Sequence, residues 1–351
     1  MPLHYRSRRR MYGEHTDTIT CLTFSPRGTL LAAGGLDGKV TVWSSKTSRL
    51  LFVVECKAGV VSVAAVPPSE VSFLVGLTNG AVVSVKVVQE ELCATVYEAH
   101  TYPVECLAVC GELVATGAHD EVHIWRFTDH EDRWTPVSRV DDPPMIGASV
   151  SAEVLVCSLH WPTTAHVPNI LMVSYIHHGI VFWDVDQAKA ARLITIKTDI
   201  GSTSIAADRQ LLAVSNISTR FDLYNLASGT PLASLSHKVA MHLRVPVQFI
   251  HNRRVLLGGS TVGKICMWDI QTGELLQTLH HPGTYALQHI QTHTTILQTQ
   301  TWTVTLTKYI IATASSSKED GPYIELWEGQ ETYSVLSRLR TASTEGEQVR
   351  T

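Results

Sequence analysis

One short pattern returns along the whole sequence and limits what the chain can fold into. Its clearest copy is Gly34-Gly35-Leu36-Asp37-Gly38-Lys39-Val40-Thr41-Val42-Trp43, which reads as a strand end, a tight turn and a second strand ending on Trp. Asp37-Gly38 suits a hairpin because a tight turn needs positive φ, which glycine adopts without a Cβ clash. Val122-His123-Ile124-Trp125, Ile180-Val181-Phe182-Trp183, Arg220-Phe221-Asp222-Leu223-Tyr224, Lys264-Ile265-Cys266-Met267-Trp268 and Tyr323-Ile324-Glu325-Leu326-Trp327 share the ending. Asn79-Gly80-Ala81-Val82-Val83-Ser84-Val85 shares the turn and places Val85 where the others have an aromatic.

These endings fall at positions 43, 85, 125, 183, 224, 268 and 327, with spacings of 42, 40, 58, 41, 44 and 59 residues. Four spacings match the roughly 40–45 residues of a four-stranded propeller blade, and the two longer ones fit a blade plus an inserted loop. With Trp183-Asp184 and Trp268-Asp269 supplying the Trp-Asp dipeptide itself, the chain resembles the WD40-repeat β-propeller family from His15 to Trp327. The resemblance implies an all-β fold: a seven-bladed WD40-type β-propeller with four-stranded antiparallel blades. Residues 1–339 are expected to form this single domain, and the polar stretch 340–351 to be a disordered tail.

Composition narrows the function classes. Of 351 residues 44% are hydrophobic, enough for blade-to-blade burial, and 28 basic against 32 acidic side chains leave a net charge of −4. That balance argues against an electrostatic nucleic-acid binder. No run of 18 apolar residues suggests a membrane span, and Met1 to His15 lacks the apolar core of a secretory signal. The seven cysteines are scattered and odd in number, as expected of reduced thiols in a cytoplasmic or nuclear protein.

Alternation and turn residues place most strands. Blade one reads as Thr18 to Phe24, Leu30 to Gly34, Lys39 to Trp43 and Arg49 to Cys56. Blade seven is least legible, and its first strand is expected within the Thr/Gln/His-rich stretch 288–307. Ring closure has two contenders. His4 to Tyr12 aligns with the outer strand of blade two, because Arg10-Met11-Tyr12-Gly13-Glu14-His15 parallels Thr95-Val96-Tyr97-Glu98-Ala99-His100. Tyr333 to Leu339 begins at the usual offset after Trp327. The N-terminal segment is favoured, since it explains why a strand precedes blade one.

In the family, a Trp ring N–H, a Ser or Thr hydroxyl, a His and an Asp form a hydrogen-bonded tetrad within a blade. Carried over by resemblance, this falls on His100, Thr116, Asp120 and Trp125 in blade three. Blade one offers only a partial set, His15, Asp37 and Trp43, because Ala33 stands where the hydroxyl should be. Blade four has Ser174 and Trp183, with His178 near the Asp place. Such sets are structural rather than catalytic, since each coincides with a Trp at blade spacing.

Other constellations fail on chemistry. Gly258-Gly259-Ser260-Thr261-Val262-Gly263-Lys264-Ile265 nearly spells a phosphate-binding loop, but Ile265 occupies the Mg²⁺-ligating hydroxyl position and a strand follows instead of a helix. Cys106 and Cys110 have no second pair at zinc-ligand spacing. No catalytic, cofactor or metal site is therefore expected, and no enzyme. Arg6, Arg8, Arg9 and Arg10 read as charges guarding an outer strand, ahead of a nuclear-localisation or acidic-partner patch.

The expectation is an intracellular, non-catalytic interaction scaffold that binds protein partners or peptide segments and helps assemble a multiprotein complex. The alternative is a peptide-reading or substrate-receptor subunit of a chromatin or ubiquitin-ligase complex, which requires an acidic or aromatic cluster at the channel mouth. Recognition is expected to concentrate in stretches 129–152 and 288–308 and on the ring faces, with Trp134 and Trp161 as partner-binding anchors.

Overall fold

The computed structural model describes residues 3–88, 91–128, 131, 133–144, 153–162, 169–218, 220–236, 244–251, 253–260, 263–280, 299–305, 308–317 and 321–331. Within them, 28 strands form seven four-stranded antiparallel sheets. Strands a to d are named from the ring axis outward. Blade one comprises Ile19–Phe24, Leu30–Gly35, Lys39–Ser44 and Leu50–Glu55; blade two, Val60–Ala65, Ser72–Leu77, Ala81–Val88 and Glu91–Glu98. Blade three is Cys106–Cys110, Leu113–Ala118, Glu121–Thr128 and Arg133–Arg139, and blade four is Val156–His160, Ile170–Tyr175, Gly179–Asp184 and Lys189–Ile194. Blades five and six follow the same plan, from Ile200–Ile205 to Pro231–Ser236 and from Val247–Ile250 to Leu275–His280.

Blade seven takes Thr299–Thr305, Lys308–Ser317 and Gly321–Glu331 from the end of the chain and Leu3–Tyr12 from its start, in the order that puts the N-terminal strand outermost. The ring is thus closed by the N-terminal strand, as the sequence predicts. The competing segment 333–339 and the tail 340–351 lie outside the described residues.

A single blade buries little of its own apolar surface, because both sheet faces carry hydrophobic side chains. The core therefore sits between blades. Val40, Val54, Val75 and Val83 join blades one and two, and Leu74, Val82, Val114 and Phe127 join two and three. Equivalent clusters link each successive pair round to blades seven and one, where Ile310, Ile324 and Leu326 meet Ile19, Leu31 and Trp43. The near-continuous apolar inner strands follow from this two-sided burial.

The closing strand serves two of these interfaces. Its pairing with Gly321–Glu331 slips between Ser7 and Arg9, a bulge that reverses the alternation of side chains. Tyr5 can therefore pack toward blade six, beside Ile250 and Leu257, while Met11 packs toward blade one beside Ile19 and Leu22. Gln277 of blade six clasps the strand, accepting from the Tyr5 amide at 2.9 Å and donating to the Tyr5 carbonyl at 2.7 Å.

Three arginines of this strand are also engaged. Arg8 donates to the Lys46 carbonyl at 2.6 Å, and Arg9 to that of Thr47 at 3.3 Å. Arg10 pairs with the fully buried Glu325 at 3.2 Å, and Ser7 donates to the same carboxylate oxygen at 2.5 Å. The basic cluster thus ties blade seven to the outer turn of blade one, beyond the edge protection expected from sequence.

Candidate functional site

The antiparallel meander brings two sets of loops to one face of the ring: the connections from strand d to the next strand a, and the turns between strands b and c. Backbone bonds join them, as in Leu36 N–H to Thr18 O at 2.9 Å and Val156 N–H to His119 O at 2.7 Å. The histidine-bearing loops and the mouth of the central channel therefore share this face.

In blade three, Trp125 Nε1 donates to Thr116 Oγ1 at 3.0 Å, and Thr116 Oγ1 lies 2.7 Å from His100 Nε2. The chain ends on Glu121, whose Oε2 is 2.8 Å from His100 Nδ1. A carboxylate only accepts, so Nδ1 carries the proton and every buried polar group finds a partner. Asp120 is not part of this chain: its carboxylate meets His119 Nδ1 at 3.1 Å, at the half-exposed tip of the turn. The reason is turn length. Thr116 and its cross-strand partner His123 are 7 residues apart, against 8 for Ala33 and Thr41 in blade one. The shorter turn leaves only His119 and Asp120 between the paired residues Ala118 and Glu121, so Glu121 opens strand c beneath His100.

Blade one completes its chain by a different substitution. Trp43 Nε1 donates to Thr41 Oγ1 at 2.9 Å, Thr41 Oγ1 lies 3.0 Å from His15 Nε2, and His15 Nδ1 is 3.1 Å from Asp37. Thr41 is the direct cross-strand partner of Ala33, so its hydroxyl reaches the same point from the neighbouring strand. Burial acts to raise the Asp37 carboxyl, but the Thr16 amide and His15 outweigh it and hold it below the usual range. In blade seven Trp327 Nε1 likewise donates to Thr313 Oγ1 at 2.9 Å. Blade four departs from the pattern: Ser174 Oγ bonds Thr203 of blade five at 3.0 Å, while the buried His178 ring stands edge-on to Tyr175.

Trp134 and Trp161 are used internally. Trp134 is wedged among Tyr97, Trp125 and Phe127, with ring centroids 5.0, 5.9 and 4.9 Å away, which fixes blade three against blade two. Trp161 donates to the Ala108 carbonyl at 3.1 Å and packs on the cluster between blades three and four. Of the stretches expected to vary, 145–152 and 288–298 lie outside the described residues. In the phosphate-loop lookalike, Ser260 Oγ accepts from the Lys264 amide at 3.0 Å and strand Lys264–Asp269 follows, so the turn serves its own blade.

The channel mouth is where unpredicted residues gather. Arg244, just before blade six, reaches over the axis to Glu105 of blade three at 2.8 Å and to the carbonyls of Cys157 and Gly201 at 3.1 and 3.3 Å. One side chain thereby links blades three to six. Beside it lies a cavity of about 350 Å³ lined by Thr20, Val61, Glu105, Cys157, Ser202 and Arg244. A smaller cleft of about 150 Å³ adjoins, with Pro103, Leu155 and Ile176 as an apolar bed and His119 at its rim. Tyr102, 44% exposed, stacks on His119 at 4.5 Å, and Glu153 pairs with that histidine at 2.9 Å. No spacing in the sequence marks this group, because its members come from five separate blades and connecting loops.

Sequence comparison covers part of the chain. The family model described as "WD domain, G-beta repeat" matches residues 6–44, which is the closing strand together with strands a to c of blade one. The small ribosomal subunit protein RACK1 of Candida albicans is 40% identical over 53 residues, 15% of this chain and 17% of that protein. The U3 small nucleolar RNA-associated protein 15 homologs of Homo sapiens and Bos taurus are each 38% identical over 72 residues, 20% of this chain and 14% of theirs. The aligned stretches thus span about a sixth or less of the relatives' lengths. The matched repeat recurs structurally in every blade, and with seven such blades closed into one ring, the chain belongs to the WD40-repeat β-propeller family.

Proposed function

We propose that this protein is a non-catalytic scaffold that works inside the cell, holding protein partners together in a multiprotein complex. The observation that carries this reading is the channel-mouth face. There Leu36 and Tyr102 are 42% and 44% exposed on the same face as the Glu105–Arg244 pair and an apolar cleft, a mixture of apolar and charged groups that suits protein contact. The His, Thr and Trp groups that could suggest chemistry are already engaged in the hydrogen-bond chains of blades one and three. Similar stretches occur in proteins named for the small ribosomal subunit and for association with U3 small nucleolar RNA, which favours membership of an assembly. Contact through protein rather than directly through nucleic acid follows from the net charge of −4.

The peptide-reading alternative gains support from the same place, because Glu105, Tyr102 and Glu153 supply the acidic and aromatic cluster it requires. Affinity purification with mass spectrometry, run in parallel on the wild type and on Tyr102→Ala/Glu153→Lys, two exposed positions that leave the Arg244 link intact, tests both readings. The expected result is a reproducible partner set that the double variant loses while keeping its melting temperature. An unchanged partner set would remove the channel mouth as the binding surface.

A further inference from the structure

Blade three departs from blade one at two residues, one that ends its hydrogen-bond chain and one that stands beside it. Blade one closes its chain with the short carboxylate of Asp37 and has Thr41 at the register where blade three has His123. Blade three uses Glu121 and adds His123, and both bring a metal-ligating atom to one place. Glu121 and His123 stand two apart on strand c and so face the same side, while His100 arrives over them from the preceding loop. One ligand atom from each lies within 4.8 Å of the other two.

We propose that His100, Glu121 and His123 form a binding site for one divalent transition-metal ion of the zinc class, with solvent as the remaining ligand. Two imidazoles and one carboxylate are a donor set that suits tetrahedral Zn²⁺, whose ligand atoms sit about 3.3 Å apart at metal bonds of about 2.0–2.1 Å. The 2.8 Å contact between His100 and Glu121 needs to open only slightly to admit it.

The protons can be arranged. His123 Nδ1 donates to the Ala99 carbonyl at 3.1 Å, which leaves the lone pair on Nε2. For His100 to ligate through Nδ1, its proton moves to Nε2, where Thr116 Oγ1 at 2.7 Å can accept it. The Thr116 hydroxyl hydrogen then turns to the His123 carbonyl at 3.5 Å, so His100 stays neutral throughout. This hydroxyl and the Ala99 carbonyl are the kind of outer partners that orient metal-bound imidazoles. The rings now stack with 17° between their planes, and a shared ion requires one of them to tilt. His123 is the ring free to do so, being half-buried and outside the Trp125–Thr116–His100–Glu121 chain.

The test is calorimetric titration of the metal-free full-length protein with Zn²⁺, supported by the visible spectrum with Co²⁺. The wild type should bind one ion, gain thermal stability and give the intense absorption of tetrahedral Co²⁺. His123→Phe should lose more than about 100-fold in affinity, since even outer-partner changes cost 10–100-fold, while melting like the wild type without metal. Glu121→Gln keeps an acceptor for His100 and serves if the first variant fails to fold; it should also lose binding. His177→Ala, at a half-buried histidine of blade four that pairs with Asp199, should bind as the wild type does. A wild type that takes up no stoichiometric Zn²⁺, or undiminished binding in both ligand variants, would overturn the proposal.

Discussion

Trp125→Phe keeps the aromatic packing but removes the one ring N–H that Thr116 Oγ1 receives. It should cost about 1–3 kcal/mol in a urea denaturation series, the range for stranding a buried polar group. The carboxylate assignment gives a sharper contrast. Glu121→Ala should destabilise by a similar amount, whereas Asp120→Ala, on the turn tip, should stay within about 0.5 kcal/mol; the reverse order would restore Asp120 to the chain. The sequence misplaces this carboxylate because the family pattern calls for an Asp, which Asp120 supplies, whereas the shorter turn of blade three puts Glu121 beneath His100. It misses Thr41 for a related reason: strand register puts that hydroxyl opposite Ala33, which linear spacing does not reveal. Thr41→Val should accordingly cost as much as a tetrad residue, about 1–3 kcal/mol, by leaving His15 and Trp43 without their shared partner.

At the scale of strands and loops, legibility tracks locality. Period-two alternation and Asp-Gly or Asn-Gly turns are local signals, and they locate the blade strands to within a few residues. Links between blades are not local. Glu70 of blade two accepts from Ser25 at 2.7 Å and also from the Arg27 amide and Thr29, stapling blade one's turn from outside, and nothing near Glu70 in sequence marks it. Arg244 and Gln277 belong to the same class, with partners up to 139 and 272 residues away. Gln277→Ala deletes both bonds to the Tyr5 backbone and should weaken closure by about 1–3 kcal/mol, seen as faster hydrogen exchange along residues 3–12. Protection that is unchanged there would mean the clasp does not hold the strand.

Across the whole molecule, stability depends on burying groups that must stay neutral. Burial lowers His160, in the channel wall, and His251, against Tyr5, to about 4 each. The unfolded chain protonates both near 6.5, so between pH 6.5 and about 4 it binds more protons than the fold does, and stability falls as pH falls. Each can contribute up to about 1.4 kcal/mol per pH unit in that window, and His160→Gln/His251→Gln should flatten the denaturation profile there.

The central claim is a ring that exists only because its first strand completes its last blade. Thermal unfolding of a variant lacking residues 1–12 tests it most directly. That deletion removes Tyr5 and Met11 from two inter-blade clusters, the clasp of Gln277, and the Arg10 and Ser7 partners of buried Glu325. The melting temperature is predicted to fall by roughly 10 °C or more, or the cooperative transition to disappear. A truncated chain that unfolds cooperatively at the full-length temperature would contradict closure by the N-terminal strand.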